Sequence, residues 1–302
     1  RLDYLAGMLM NWGYVLAVEK LAGIEVPERA EYIRVIVGEL SRIASHQIAV
    51  GSMASDLGGL TGFIYNFRDR EYILDLLEML SGSRMTFSFM RIGGVASDIT
   101  DEFIGKTREF IDYFPKNGIE EYNNFITGNE IFQARSKNIA VVSREKALDM
   151  SLSGPVLRAS GVAHDLRKVR PYSVYPHFDF DVPVGENGDS FDRYYLHILE
   201  MEQSLRIIEQ ALDNLPDGPI MAKVSRNFKP PVGEAYAEVE SSKGILGVYV
   251  VSDGTTKPYR VHFRRPSFIN LGHFDEMIKG WKIADVIAVL ASLDIVLGEV
   301  DC

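Results

Sequence analysis

The fold of this protein is decided by one stretch, residues 26–59, which reads VPERAEYIRVIVGELSRIASHQIAVGSMASDLGG. Pro27 favours the first turn of a helix, and Gly58-Gly59 favours its end. Between them, apolar residues recur every three or four positions, as on one face of an α-helix: Ile33, Ile36, Val37, Leu40, Ile43, Ala44 and Ile48. The stretch therefore predicts a long and mostly buried helix.

Similar patterns on both sides of this stretch predict further helices. Gly188-Asp189-Ser190 offers an N-cap for a helix that ends before Pro216-Asp217-Gly218. We expect this late helix to pack against the long one. The other predicted helices cover residues 3–21, 68–80, 101–113, 118–126 and 284–292, with Gly23 and Gly82 ending the first two.

A change in composition near residue 229 predicts a small region of β structure. Lys229-Pro230-Pro231 resembles a linker, and Tyr259, Val261 and Phe263 alternate with polar residues as in a half-buried strand. Residues 252–255 are the predicted hairpin turn. The sequence thus predicts a mainly α (α+β) fold, with a helical bundle over residues 1–218. Residues 219–302 add a β hairpin and a C-terminal helix packed on the same core, all within one domain.

The composition excludes several classes of protein. The 302 residues have a net charge of −10, so the chain lacks the basic surface that nucleic-acid binding needs. A single cysteine excludes a disulfide framework and any cysteine-rich zinc or iron–sulfur site in this chain, and it favours a reducing compartment. No apolar run reaches the length of about 18 residues that a membrane span requires. The chain opens at Arg1 without methionine, so we expect the natural protein to have a longer N-terminal part.

Tyr4 and Asp56 are candidate functional residues, although each also fits a structural role. Asp56 ends the predicted buried helix, where a carboxylate needs a partner or has a raised pKa. A structural alternative is a helix-end aspartate with satisfied hydrogen bonds. Tyr4 alone equally fits a core tyrosine whose hydroxyl is bonded.

The remaining charged residues favour structural roles. Arg84 and Arg91 follow helix ends, where a cation complements the helix dipole. The tract from Arg158 to Lys168 predicts a buried or interfacial ion-pair network, and His46 predicts a hydrogen-bonded core residue. The histidines lack metal-ligand spacing, and no Rossmann or Walker motif is present.

Nine short motifs, spread over the whole chain, carry a family resemblance. They are Arg1-Leu2-Asp3-Tyr4, Ala17-Val18-Glu19-Lys20-Leu21, Val26-Pro27-Glu28-Arg29-Ala30, Tyr32-Ile33-Arg34-Val35, Arg91-Ile92-Gly93-Gly94-Val95, Phe180-Asp181-Val182-Pro183-Val184-Gly185, Val251-Ser252-Asp253-Gly254, Pro258-Tyr259-Arg260 and Gly298-Glu299-Val300-Asp301. The chain resembles the D subunit of the proton-pumping NADH:quinone oxidoreductase, respiratory complex I. That family is itself similar to the large subunit of nickel–iron hydrogenases, so the resemblance implies a hydrogenase-large-subunit-like helical bundle.

The resemblance implies that Tyr4 and Asp56 are catalytic and bind quinone. In that family the tyrosine bonds the quinone head group, and the aspartate pairs with a histidine on an N-terminal hairpin loop that this chain lacks. A phenol and a carboxylate–histidine pair can supply the two protons that a reduced quinone takes up. The resemblance further implies a quinone, menaquinone, as substrate, no metal in this chain, and an iron–sulfur cluster and NAD in partner subunits.

The same resemblance places Arg84 and Thr86 beside the terminal iron–sulfur cluster of a neighbouring small subunit. Many relatives have histidine at the position of Thr86. A hydroxyl takes up no proton when the cluster is reduced, so we expect a weakly pH-dependent cluster potential. Thr86 and the short link from Pro219 to Gly233 resemble the bacterial menaquinone-using branch. The implied partners are that small subunit and the other peripheral-arm and membrane-arm subunits, at the cytoplasmic face of the cell membrane.

Two alternatives compete with this interpretation. A hydrogenase large subunit needs thiolates from a C-terminal Asp-Pro-Cys-x-x-Cys, but Asp294 and Ile295 are followed here by Val296 and Glu299 in the thiolate places. Cys302 is out of register with that motif. A purely structural subunit is the second alternative, and the presence of both Tyr4 and Asp56 argues against it.

Overall fold

A computed structural model describes residues 2–302 and confirms a mainly α fold with a small antiparallel sheet. The long helix predicted from residues 26–59 is a single helix, Glu28–Asp56, and nearly its whole circumference is buried. Pro27 is its N-cap and so lies just before the first turn. The described helices are α1 (Gly7–Ala22), α2 (Glu28–Asp56), α3 (Leu60–Ser81), α4 (Asp101–Phe114), α5 (Glu120–Tyr122), α6 (Glu130–Ser136), α7 (Arg144–Asp149), α8 (Pro155–Ala159), α9 (Leu166–Val169), α10 (Ser190–Asp213), α11 (Pro266–Leu271), α12 (Phe274–Ile278), α13 (Ile283–Ser292) and α14 (Leu297–Val300).

Helix ends follow the predicted capping residues in most cases. Gly23 and Gly82 adopt the left-handed conformation after α1 and α3, and the Asp189 side chain caps α10. Helix α3 begins at Leu60, well before the predicted start at Arg68.

The helix predicted over residues 118–126 is mostly of a wider type. Two π-helical segments, Pro115–Ile119 and Asn123–Thr127, surround the short α5. Pro115 lacks the N–H that an α-helix would use at this position, and a wider turn accommodates it.

The β structure is larger than the sequence analysis predicts. Strands β1 (Met90–Arg91) and β2 (Gly94–Val95) form a small ribbon. Strands β3 (Gly233–Ser241), β4 (Gly244–Ser252) and β5 (Arg260–Arg264) form an antiparallel sheet in that order. Ser242 and Lys243 make the tight turn between β3 and β4, whereas the predicted turn at residues 252–255 belongs to the longer link before β5.

The sheet packs directly on the helices, so both share one hydrophobic core. Helix α1 approaches the sheet through Gly13: a Cβ added there would lie 2.8 Å from Leu246 Cδ2 and 3.2 Å from Val248 Cγ2. The core of the helical bundle is formed by α2 packed against α10, which confirms the predicted packing of these two helices. Among residues 2–302, the structure contains no helix with the length and apolar character needed to cross a membrane.

Candidate functional site

Tyr4 lies in a turn that a buried carboxylate shapes. Asp3 is fully buried, and its Oδ1 accepts hydrogen bonds from the backbone N–H groups of Leu5 at 2.9 Å and Ala6 at 3.2 Å. The next side chain, Tyr4, points outward and is 39% exposed. Within residues 2–302 its hydroxyl has no hydrogen-bond partner, so the core-tyrosine alternative is wrong.

Behind this turn lies a buried group of charges, Asp3, Lys243, Asp294 and Glu299, which we call the Lys243 cluster. The Lys243 ammonium lies 3.4 Å from Asp3 Oδ2 and 3.1 Å from Asp294 Oδ2, and it donates a hydrogen bond of 2.8 Å to Ser45 Oγ. The turn between β3 and β4 thereby meets the N-terminal segment and the residues that follow α13.

The Lys243 cluster contains more carboxyl groups than cations. Burial raises the pKa of Asp294 to about 6, with Lys243 opposing the rise. Burial and the neighbouring Asp3 raise the pKa of Glu299 to about 7. Burial disfavours the charge of Lys243, but Asp294 and Asp3 outweigh it and raise the pKa of the ammonium. The cluster can therefore hold an exchangeable proton near neutral pH.

Next to the Lys243 cluster, two buried histidines face each other. His46 on α2 and His197 on α10 lie with their Nδ1 atoms 2.9 Å apart. His46 Nε2 also lies 3.1 Å from Glu200 Oε2. The predicted role of His46 as a hydrogen-bonded core residue is confirmed.

A metal ion does not fit these histidines. Ligand atoms of His46, His197 and Asp294 lie within 4.8 Å of one another. The Lys243 ammonium already forms an ion pair with the Asp294 carboxylate, and both ring nitrogens of His46 have hydrogen-bond partners. A divalent cation would therefore face an ammonium at close range.

A second buried network confirms the ion pairs predicted between Arg158 and Lys168. Arg167 pairs with Asp165 at 2.6 Å and with Glu39 at 3.1 Å, and Arg158 pairs with Glu200 at 2.7 Å. Although burial alone would raise the pKa of Glu39, Arg42 and Arg167 lower it to about 2. The sequence analysis missed Glu39 and Glu200. The signal in the sequence that could have found them is a charged residue on the buried face of each helix, Glu39 on α2 and Glu200 on α10.

The segment from Arg84 to Phe87 lies beside the start of α1. Phe87 accepts a hydrogen bond of 3.2 Å from Asn11 Nδ2, and its ring packs against Gly7. Thr86 is exposed and has a φ of 56°, in the left-handed region. Arg84 pairs with Asp75 at 2.7 Å and with Glu71 on α3. Carboxylates, and not the helix dipole alone, thus hold Arg84.

Asp56 is the last residue of α2, and its side chain is exposed, contrary to the buried position expected for it. Partial burial still raises its pKa. Within residues 2–302 it forms no ion pair and no hydrogen bond with Tyr4. Beside this helix end, a cavity of about 350 Å³ is lined mainly by apolar residues, among them Leu57 and Phe132.

Comparison with known proteins identifies the family. The family model described as "Respiratory-chain NADH dehydrogenase, 49 Kd subunit" matches residues 56–226 and 221–302. The D subunit of the NADH-quinone oxidoreductase of Desulforamulus reducens is 73% identical over 301 residues, which are 100% of this chain and 82% of the relative. Proteins of the same name are 62% identical in Carboxydothermus hydrogenoformans and 57% identical in Clostridium beijerinckii, covering 100% of this chain and 82% and 81% of the relatives.

These matches confirm the resemblance found in the sequence motifs. The chain belongs to the family of the D subunit, or 49 kDa subunit, of NADH-quinone oxidoreductase. It is a subunit of respiratory complex I. In keeping with this, Val296 and Glu299 are buried side chains at the two places where a hydrogenase would have thiolates.

Proposed function

We propose that this chain forms the quinone-reduction chamber of a proton-pumping NADH-quinone oxidoreductase, next to the terminal iron–sulfur cluster of a small partner subunit. The chain works as a peripheral subunit at the cytoplasmic face of the cell membrane, bound to the other peripheral-arm subunits and to the membrane arm. The observation that carries the proposal is Tyr4: an exposed phenol, without a partner within residues 2–302, on a turn anchored by buried Asp3.

Tyr4 has the chemistry that this reaction requires. A quinone that takes up two electrons also takes up two protons, and both electrons come from the partner's cluster. A phenol at a head-group oxygen donates a hydrogen bond that strengthens as negative charge develops there, and it can pass its proton on. Since its hydroxyl has no hydrogen-bond partner within residues 2–302, Tyr4 can bind a ligand without losing a hydrogen bond to this part of the chain.

The position of the Arg84–Phe87 segment supports the same arrangement. Its contacts with Gly7 and Asn11 hold it against the start of α1, only a few residues after Tyr4. A cluster that rests near Arg84 and Thr86 is thereby close to the quinone that Tyr4 binds. Short separation is what fast electron transfer needs.

We assign Asp56 the second proton-delivery role, as the partner of a histidine from outside the described chain. Its exposed carboxylate is free of ion pairs within residues 2–302, and its raised pKa suits a group that exchanges protons. The apolar cavity beside the end of α2 supplies a surface on which a quinone ring or isoprenoid tail, as in menaquinone, can lie.

The test is the quinone reductase activity of the membrane-bound complex carrying Tyr4→Phe, with assembly measured separately. The change removes only the hydroxyl, so we expect full assembly and a loss of activity of about 100-fold. Tyr259→Phe is the matched control, because Tyr259 is 74% exposed and lies just before strand β5. Unchanged activity in assembled Tyr4→Phe complex would overturn the proposal and favour a purely structural subunit.

A further inference from the structure

The proposed function makes no use of the His46–His197 pair, although its geometry is unusual. Both imidazoles are buried, and their Nδ1 atoms are 2.9 Å apart. Two neutral imidazoles at this distance need one proton between them, because two bare nitrogens would repel each other. One Nδ1 therefore carries a hydrogen and donates it to the other.

Glu200 decides which ring donates. Its carboxylate is an acceptor, so His46 must carry its hydrogen on Nε2, which lies 3.1 Å away. The Nδ1 of neutral His46 is then bare and accepts from the Nδ1–H of His197. This leaves Nε2 of His197 as a bare nitrogen without a hydrogen-bond partner within residues 2–302.

Charged groups from every neighbouring element act on this pair. Glu200 on α10 favours a positive imidazole, and Asp294 after α13 lies with its carboxylate within 4.8 Å. Arg42 on α2, Arg158 on α8 and Lys243 in the hairpin turn oppose it. Burial contributes most, and it lowers the pKa of His46 and lowers that of His197 further. The pair is therefore neutral at pH 7, and it gains a proton only when negative charge is added nearby.

We propose that the His46–His197 pair takes up one proton when quinone reduction places negative charge in the chamber, and thereby compensates that charge. The inference rests on the proposed function, because the negative charge arises at the quinone that Tyr4 binds. Asp3 precedes Tyr4, and Lys243 joins Asp3 to Asp294, whose carboxylate lies within 4.8 Å of the two histidines. The Lys243 cluster therefore links this charge electrostatically to the pair. The two histidines act through this cluster and are positioning residues that do not touch the quinone.

The proton transfer balances without a further reactant. A proton from bulk solvent adds to the lone pair on Nε2 of His197: an O–H bond of a hydronium ion breaks as the N–H bond forms, and neutral water remains. The Nδ1–H bond of His197 then breaks as one forms at Nδ1 of His46, which leaves His46 as an imidazolium beside the Glu200 carboxylate. Arg158 and His46 hold the pKa of Glu200 well below its usual range, so Glu200 stays ionised and the proton stays on His46. When the quinol leaves, the steps reverse.

The experiment compares the assembled, membrane-bound complex carrying His197→Gln with wild type over a range of pH. A glutamine amide can still donate to His46 Nδ1, but it has no basic nitrogen that can take up a proton and pass one on to His46. In wild type we expect activity to fall on the acid side, where the pair is already protonated before turnover. In H197Q we expect the rate at the optimum to fall about tenfold and the acid limb to shift by about one pH unit. His262→Gln, at an exposed histidine, is the matched control.

An infrared difference spectrum of quinone reduction, recorded with ¹⁵N-labelled histidine, detects the protonation of histidine directly. We expect label-sensitive imidazole bands in wild type and in H262Q, and their loss in H197Q. A wild-type pH profile in assembled H197Q, or bands that persist in it, would overturn the inference. If H197Q does not assemble, the wild-type spectrum is the test, and the absence of label-sensitive imidazole bands in it would overturn the inference.

Failure of this inference is distinguishable from failure of the proposed function. If Tyr4→Phe abolishes activity while H197Q behaves like wild type, the chamber assignment stands and the imidazole pair is structural. If Tyr4→Phe is fully active, the chamber assignment fails, and the charge that the pair is proposed to compensate has no origin near Asp3.

Discussion

The Nζ atom of Lys243 lies 3.4 Å from Oδ2 of Asp3, and this contact ties the tightest turn of the sheet to the residue immediately before Tyr4. Both side chains are fully buried. A partner in the turn between β3 and β4 thus fixes the orientation of the N-terminal turn, and with it the direction in which Tyr4 points.

Replacing Lys243 by methionine leaves Asp3 and Asp294 buried without their cation. We expect the free energy of unfolding to fall by roughly 3–5 kcal/mol at pH 8, as for other broken buried pairs. The loss should shrink toward pH 5, because protonation then neutralises carboxyl groups whose pKa is raised. Thermal unfolding at both pH values measures it, with exposed Lys257→Met as control. An equal loss at both pH values would contradict this account.

Glu299 makes stability depend on pH near neutrality. Its pKa is raised to about 7 in the folded state, against the usual value of 4.5 when unfolded, so the folded chain binds the proton more tightly. Stability therefore rises as the pH falls from 8 towards about 4.5. Glu299→Gln, which keeps an acceptor for the N–H of Ser267, should stabilise the chain by about 2 kcal/mol at pH 8 and have little effect at pH 5. Exposed Glu209→Gln should change neither value.

Two glycines on different helices give opposite predictions for the same substitution. A Cβ at Gly13 meets Leu246 at 2.8 Å, whereas a Cβ at Gly105 on α4 has nothing within 4 Å. Gly105→Ala should stabilise by about 0.5–1 kcal/mol through helix propensity alone. Gly13→Ala should destabilise by about 1 kcal/mol or more, because overpacking against the sheet exceeds that gain. Equal effects in denaturant unfolding would show that α1 can move away from the sheet.

Thr86 makes a prediction about the neighbouring cluster in the assembled complex. A redox titration should show a potential that varies little with pH, because Thr86 cannot take up a proton on reduction. Thr86→His should introduce a slope of up to about 59 mV per pH unit near the histidine pKa. Histidine also tolerates the φ of 56° at this position better than a β-branched residue does. A steep slope in the wild-type complex would refute the prediction.

Local patterns explain which elements the sequence could predict. Helix α2 follows from the spacing of apolar residues between Pro27 and Gly58, and strand β5 from the alternation around Val261. Strand β3 was not predicted, and β4 was implied only as the first strand of the hairpin that turns at residues 252–255. Leu60 to Phe67, at the start of α3, lacks a clear apolar face, and β4 is apolar on both sides. Hydrophobic period alone does not distinguish such segments.

The sequence by itself determined the fold class, the long central helix and the family, because periodicity, capping residues and ordered motifs are local properties of the chain. It also indicated Tyr4, Asp56, Arg84 and Thr86, but only through the family resemblance. Only the tertiary structure decided that Asp3, Lys243 and Asp294 form one buried cluster and that His46 meets His197. These residues lie far apart in sequence, and the energy of a buried charge depends on which partners folding brings within a few ångströms of it.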